Sequence, residues 1–145
     1  MNLKEILSVS GKKGLYKLIS HEKNRIIAES LVDKSRMPIF PASRPSALDN
    51  ITVFTYEEDL PLEKIFKIIF QATNGNKIQE NRLANDAEMK KYMEEILPQY
   101  DKTRVHVSDM KKIFYWYNLL QESDLLSFDD EKEEIEVNTN EESDK

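Results

Sequence analysis

The sequence predicts an α+β protein in which a β-rich first part is followed by three helices and an acidic tail. Residues 1–56 contain short runs typical of strands, separated by turn residues, whereas residues 59–122 repeat apolar side chains at helical spacing. Residues 129–145 carry 9 Asp and Glu against 2 Lys and Arg. A segment with this many charged residues buries too little apolar surface to offset the conformational entropy lost on ordering, so we expect it to be disordered. We therefore expect domains at residues 1–56 and 57–128 and a disordered acidic tail at residues 129–145.

Overall composition indicates a soluble globular protein, since 39% of the 145 residues are hydrophobic and 33% are charged. The absence of cysteine excludes disulfides and thiolate chemistry. No apolar run is long enough for a signal peptide or for the ~20 residues of a spanning helix. These observations predict a cytoplasmic protein with no membrane partner.

The first part is predicted to begin with one helical turn at residues 2–7, capped by Asn2. Strands are predicted at residues 15–19, 26–32, 37–40 and 51–56, with a second helical turn at residues 45–49 before the last strand. Pro38 and Pro41 lack backbone donors, which places the third strand at a sheet edge. Short sequential strands with a helical turn before the last one predict a small, half-open SH3-like β-barrel.

The second part is predicted to be a three-helix unit. Pro61 suits the first turn of helix one, and Asn74 with Gly75 ends that helix. Residues 76–85 are polar and predict a loop. Helix two is expected from Asp86 to Pro98, and helix three is expected after a Ser108 cap.

No pattern in the sequence indicates catalysis, a metal or a cofactor. His21 and His106 are the only histidines, and neither has a partner at ligand spacing. Residues 11–14, Gly-Lys-Lys-Gly, lack the spacing and the strand-to-helix context of a phosphate-binding loop. Carboxylates cluster at helix ends, where the helix dipole explains them. We therefore expect a protein that is not an enzyme and that uses no cofactor.

The function predicted first is that of a binding or adaptor protein acting through protein contacts. Tyr115 and Leu119 lie one turn apart outside the apolar arc of helix three, as a partner-binding patch would. Packing of the barrel against that side of the helix would bury both instead. The edge strand at residues 37–41 is a second surface for a partner, by strand addition. The sequence specifies neither the partner nor an oligomeric state.

The alternative function is binding of RNA or DNA by the basic first part, where residues 1–56 carry 9 Lys and Arg against 5 Asp and Glu. Basic side chains in turns can contact phosphates, and aromatic rings between them can stack on bases. The acidic tail would compete with phosphates and so modulate such binding. The competing interpretation is that the lysines are only solvated and that the rings of Tyr16 and Phe40 are buried. The predicted contacts are Lys12, Lys13, Tyr16, Lys17, Lys23, Arg25, Lys34, Arg36, Phe40 and Arg44.

Four blocks in order, at residues 2–20, 35–40, 57–70 and 104–120, resemble a family of uncharacterised Bacteroidetes proteins catalogued as a domain of unknown function. The resemblance covers nearly all of residues 2–128 and leaves out the tail. It implies a β-rich N-terminal domain followed by a helical C-terminal domain. It implies no activity, cofactor or catalytic residue.

Overall fold

The computed structural model describes residues 3–128, so the Asn2 cap and the acidic tail lie outside the described residues. The described chain has an α+β fold. Its strands are β1 (Ile6–Val9), β2 (Tyr16–His21), β3 (Ile26–Ser30), β4 (Arg36–Ile39), β5 (Pro45–Ala47), β6 (Thr52–Val53) and β7 (Leu60–Pro61). Its helices are α1 (Leu62–Ala72), α2 (Asp86–Ile96) and α3 (Val107–Glu122). Short 3₁₀ turns lie at Leu3–Glu5, Pro41–Ser43, Leu48–Asn50 and Glu80–Leu83.

Five strands form one antiparallel sheet in the order β4-β3-β2-β1-β5. The position of β4 at one edge confirms the expectation from Pro38, because an edge strand can leave one side of its backbone unpaired. Within residues 3–128, no pairing joins β4 to β5, so this sheet does not close on itself.

The prediction of a helical turn over residues 2–7 is correct only for its first half. The chain turns at Leu3–Glu5 and then becomes β1, which pairs with both β2 and β5. Ile6 packs in the larger core, whereas Leu7 and Val9 pack in a smaller cluster. A strand buried on both faces has no polar alternation, so a short apolar run cannot be told from a helical turn by its spacing.

The prediction for residues 45–56 is correct only in part, since a 3₁₀ turn lies at Leu48–Asn50 and a short strand at Thr52–Val53. Pro45–Ala47 forms strand β5 against β1, and the 3₁₀ turns lie on either side of it. Residues 52–53 pair with Leu60–Pro61 in a separate two-stranded ribbon, so they do not complete the sheet. Pro45 is compatible with this arrangement because β5 is the other edge of the sheet.

All three predicted helices are present. The Asn85 side chain accepts a hydrogen bond from Glu88 N at 2.9 Å and caps α2. Helix α3 begins at Val107, so Ser108 lies inside the helix and is not its cap. The stabilising contact at this end comes from Asp109, whose Oδ2 accepts a hydrogen bond from His106 N at 2.9 Å.

The two parts of the chain share one core. Its buried members include Leu3, Leu15 and Leu31 from the β-rich part, together with Phe66 of α1 and Tyr117 of α3. A smaller cluster of Leu7, Val9, Tyr16, Ala28 and Ile39 belongs to the sheet itself. The division into two domains at residue 56 stays a prediction, because the main cluster includes residues from both sides of that boundary.

The segment after α1 is held on α3 by hydrogen bonds. The fully buried Tyr117 places its hydroxyl 2.9 Å from Thr73 Oγ1 and 2.9 Å from the carbonyl of Asn76, to which it donates. Burial raises the pKa of this phenol. Asn118 accepts a hydrogen bond from Ile78 N at 2.8 Å, and Gln121 donates to the carbonyl of Gly75. These contacts fix the position of α3 against α1.

Replacing Tyr117 with Phe should lower the free energy of unfolding by about 1–2 kcal/mol, because the Asn76 carbonyl then loses its buried donor. Urea denaturation measures this change. Tyr56→Phe is the matched control, since the Tyr56 hydroxyl is at an exposed residue and accepts one hydrogen bond from Lys102 N. The control should cost less than about 0.5 kcal/mol. Equal losses in the two variants would contradict the role given to Tyr117.

Candidate functional site

A concave surface that is rich in lysine lies between the β1–β2 loop and the first half of α3, and we call it the lysine groove. Residues 8–14 form one wall, and Lys111, Lys112, Tyr115 and Trp116 form the other, with Ile51 between them. Its volume is about 480 Å³. Four lysines line it, Lys12 and Lys13 from the loop and Lys111 and Lys112 from the helix, and none of the described residues that line it is acidic.

The four lysines differ in how far their charges are already neutralised. Lys12 and Lys112 have no ion-pair partner within residues 3–128, so both charges are available to a ligand. The Lys111 Nζ lies 3.7 Å from Asp86 Oδ1 in an exposed pair, which water and salt screen strongly. The Lys13 Nζ lies 5.0 Å from the centroid of the Tyr115 ring, at cation–π distance.

Two glycines shape the loop wall. Gly11 and Gly14 have φ angles of +78° and +92°, a region that favours glycine. Lys12 N donates a hydrogen bond to the carbonyl of Val9 at 3.0 Å, which closes the turn. A Cβ on Gly14 would lie 3.3 Å from Val32 Cγ2. The loop therefore turns sharply between its glycines, and Lys12 and Lys13 are left exposed at its tip.

The segment before α3 is fixed by Asp101. Its carboxylate accepts hydrogen bonds from Thr103 N at 2.9 Å, from Thr103 Oγ1 at 2.6 Å and from Arg104 Nε at 2.9 Å. These contacts, the Thr103 hydroxyl first and then Arg104, lower the pKa of Asp101 to about 2. The Arg104 guanidinium also lies 4.2 Å from the centroid of the Phe54 ring. The start of α3, which carries Lys111 and Lys112, is anchored through these contacts.

The basic residues predicted from sequence do not converge on one surface. Lys12 and Lys13 line the lysine groove, whereas Lys23, Arg25 and Arg44 surround a wide depression of about 630 Å³ beside the β2–β3 turn. Arg25 is already paired there with Glu22 at 3.0 Å.

The remaining predicted contacts are spread over other parts of the sheet. Lys17 is exposed on β2, and Arg36 pairs with Glu29 at 3.2 Å. Tyr16 is only 7% exposed and belongs to the sheet's own cluster, so its ring is not available for stacking. Phe40 is 46% exposed after strand β4 and does not line the lysine groove.

A second groove follows the lysine groove along α3, and Tyr115 lines both. We call it the Val32 groove. Its volume is about 460 Å³, and its walls include residues 31, 32 and 34 of the β3–β4 loop and residues 118, 119, 122 and 123 at the end of α3. Glu122 is the acidic residue lining it, and it forms an ion pair with Lys77.

The patch predicted from Tyr115 and Leu119 is divided by the structure. Leu119 is 7% exposed and packs in the main core, whereas Tyr115 is half-buried and lies between the two grooves. Of the two residues, Tyr115 is therefore the one whose side chain a ligand can reach. Its role as a contact stays a prediction.

Lys111 and Lys112 were missed by the sequence analysis. They lie one turn before Tyr115, at the i−4 and i−3 positions, so the helical spacing contained a signal for them. What it could not supply was their proximity to residues 11–14, which are about a hundred positions away in the chain.

In the part of the chain from residue 3 to 128, no group of three or more His, Asp or Glu side chains is placed to hold a metal ion. Over the same residues, no helix is both long and apolar enough to cross a membrane.

Comparison with known proteins relates this chain to two family models and to a solved structure. A family model described as Domain of unknown function (DUF5606) matches residues 3–48, and one described as Domain of unknown function (DUF6852) matches residues 51–120. A solution NMR structure of a protein from Bacteroides vulgatus is 37% identical, with a TM-score of 0.73. That match covers 88% of this chain and 91% of the other. None of the curated proteins matches.

The chain therefore belongs to the same family as the Bacteroides vulgatus protein, a family of uncharacterised Bacteroidetes proteins. This confirms the resemblance seen in the sequence.

Asp101 should make stability fall in acid. Because its pKa is about 2 in the folded chain and 3.8 ordinarily, its stabilising contribution is complete above about pH 4 and is lost as pH falls towards about 2. Asp101→Asn should lower the midpoint of urea denaturation at neutral pH. At about pH 3 the difference between the midpoints of the variant and the parent chain should be smaller. Asp49→Asn, at an exposed position, is the control. A difference that does not change with pH would contradict the assignment.

Proposed function

We propose that this protein binds nucleic acid through the lysine groove. The observation that supports it best is the convergence of Lys12 and Lys13 with Lys111 and Lys112 around one concavity that also contains the Tyr115 ring. Lysine contacts to phosphates supply sequence-independent affinity, and an aromatic ring adds a stacking surface for a base. The groove offers both kinds of contact within one site.

The distribution of charged residues supports binding of a polyanion at a local site and not through the overall charge of residues 1–128. Residues 1–128 carry 19 Lys and Arg and 18 Asp and Glu, because 2 of the 21 basic and 9 of the 27 acidic residues lie in residues 129–145. Because residues 1–128 are so nearly neutral, they produce little overall field with which to hold a polyanion. The groove lining contains four lysines and no acidic residue, so the site is locally positive although Lys111 forms an exposed pair with Asp86.

We further propose that residues 6–47 form an SH3-like half-open barrel. The order β4-β3-β2-β1-β5 and the 3₁₀ turn at Pro41–Ser43 before the last strand support this. In this arrangement the β1–β2 loop, which carries Lys12 and Lys13, is a connection at the rim. Loops at barrel rims are common binding elements because a rigid sheet positions them.

A protein-contact role is the second candidate, and it has weaker support. Leu119 is buried, so the patch predicted for a protein partner is reduced to Tyr115, and the second predicted surface is the β4 edge with Phe40 beside it. Pro38 removes one donor from that edge, which weakens strand addition there. The cytoplasmic location and the absence of enzymatic activity stay predictions.

Lys12→Ala combined with Lys112→Ala should weaken binding of a short oligonucleotide about tenfold at low salt, because two phosphate contacts are lost. Fluorescence anisotropy of a labelled oligonucleotide measures this. For the parent chain, log K should fall with log salt with a slope of about −3, since four lysines each release roughly 0.7 counterion from a single strand. The double variant should show about half that slope.

The matched control is Lys64→Ala combined with Lys91→Ala, which removes the same charge from two exposed lysines outside the groove. It should leave both affinity and slope nearly unchanged. Equal weakening by the two double variants would indicate non-specific attraction and contradict the site. Tighter binding of a polyglutamate peptide of the same length would favour a protein ligand instead.

Deleting residues 129–145 should strengthen oligonucleotide binding several-fold at low salt, because the deleted segment has a net charge of −7. The gain should disappear at about 0.5 M salt, where charges are screened over a few ångströms. Anisotropy titrations of both chains at two salt concentrations test this, with thermal melts to confirm equal folding. Unchanged affinity at low salt would show that the tail does not compete for the groove.

A further inference from the structure

We infer that the bound nucleic acid is a single strand that runs from the lysine groove past Tyr115 into the Val32 groove. This inference rests on the proposed function and names the ligand class and its path. It assigns contacts to Tyr115, Val32 and Lys34 that phosphate attraction at the lysine groove does not require.

The first argument is continuity. Both grooves lie along α3, and Tyr115 forms part of each. From Lys111 to Glu122 the helix advances about 16 Å, at 1.5 Å per residue. That length suits roughly four nucleotides, at the short end of the range for small single-strand-binding domains.

The second argument concerns the walls opposite α3. The β1–β2 loop faces the lysine groove, and the β3–β4 loop faces the Val32 groove. The two loops touch, because Leu31 N donates to the carbonyl of Leu15 at 2.9 Å and Gly14 lies against Val32. The two walls are therefore continuous, and a chain leaving one groove enters the other.

The third argument is the alternation of charge and apolar surface. Beyond the four lysines come the half-buried Tyr115 ring, then Val32, which is 60% exposed, and then Lys34. Unstacked bases of a single strand can lie on such rings and apolar surfaces while phosphates meet the lysines. In a duplex the bases are stacked inside, so Tyr115 and Val32 would gain nothing from it.

Lys34 is well placed to hold a phosphate. It has a φ of +67°, and its backbone N–H donates to the carbonyl of Ser30 at 2.9 Å, so the turn that carries it is fixed. It has no ion-pair partner within the described residues, in contrast to Lys77, which pairs with Glu122. The Lys77–Glu122 pair marks the far end of the path.

The test uses the full chain and labelled oligothymidylates of about two, four and eight nucleotides, with a duplex of about eight base pairs. Affinity should rise at least tenfold from the shortest strand to the middle one and then level off. The duplex should bind at least tenfold more weakly than a single strand of its length. A duplex that binds as tightly as the single strand overturns the inference.

Three variants locate the path. Lys34→Ala should leave the two-nucleotide strand, which is too short to reach the Val32 groove, unaffected and weaken the eight-nucleotide strand several-fold. Tyr115→Leu, which keeps an apolar side chain against the core, should weaken the eight-nucleotide strand about tenfold, whereas Tyr115→Phe should bind like the parent. Thermal melts of each variant identify a folding defect, and Lys34→Ala alone then tests the path if the leucine variant is unstable.

The outcomes separate the inference from the proposed function. If Lys34→Ala and Tyr115→Leu leave the eight-nucleotide strand unchanged while Lys12→Ala with Lys112→Ala weakens it, the lysine groove binds nucleic acid but the path is wrong. If no oligonucleotide binds at any length at low salt, both are overturned.

Discussion

The shared core between the sheet and the helices is the constraint on which the surface features depend. Leu15 ends the β1–β2 loop and Leu31 begins the β3–β4 loop, and both are buried in the cluster that contains α3. Burial of these side chains removes apolar surface from water and fixes the loops against the helix. Without that contact, lysines about a hundred residues apart in the chain would have no common site.

The shared core also brings lysine side chains together, although the whole chain has a net charge of −6. Over the described residues acidic and basic side chains nearly balance, and most of the ion pairs among them are exposed and contribute little stability. The lysine groove differs because no carboxylate lies among the described residues lining it. Like charges held together by a core cost free energy, and a polyanionic ligand relieves that cost.

The sequence predicted the elements with strong spacing and missed those specified by tertiary contacts. The helices were correct because long apolar repeats and end signals such as Pro98 are local. Strand β1 was missed because both of its faces are buried, and β5 was missed because Pro45 resembles a turn residue until the edge position is known. Among the site residues, Lys12 and Lys13 were predicted, but Lys111 and Lys112 required the packing of α3 against the β1–β2 loop.

The chain contains a single tryptophan, Trp116, and it lines the lysine groove with 9% of its surface exposed. Indole emission depends on the polarity and charge of its immediate surroundings. Since no other residue of this type contributes, the indole emission of the unlabelled chain, excited selectively over that of its tyrosines, comes from one known position beside the four lysines. The protein thus carries its own optical reporter at the groove, one that responds to an occupant without any attached dye.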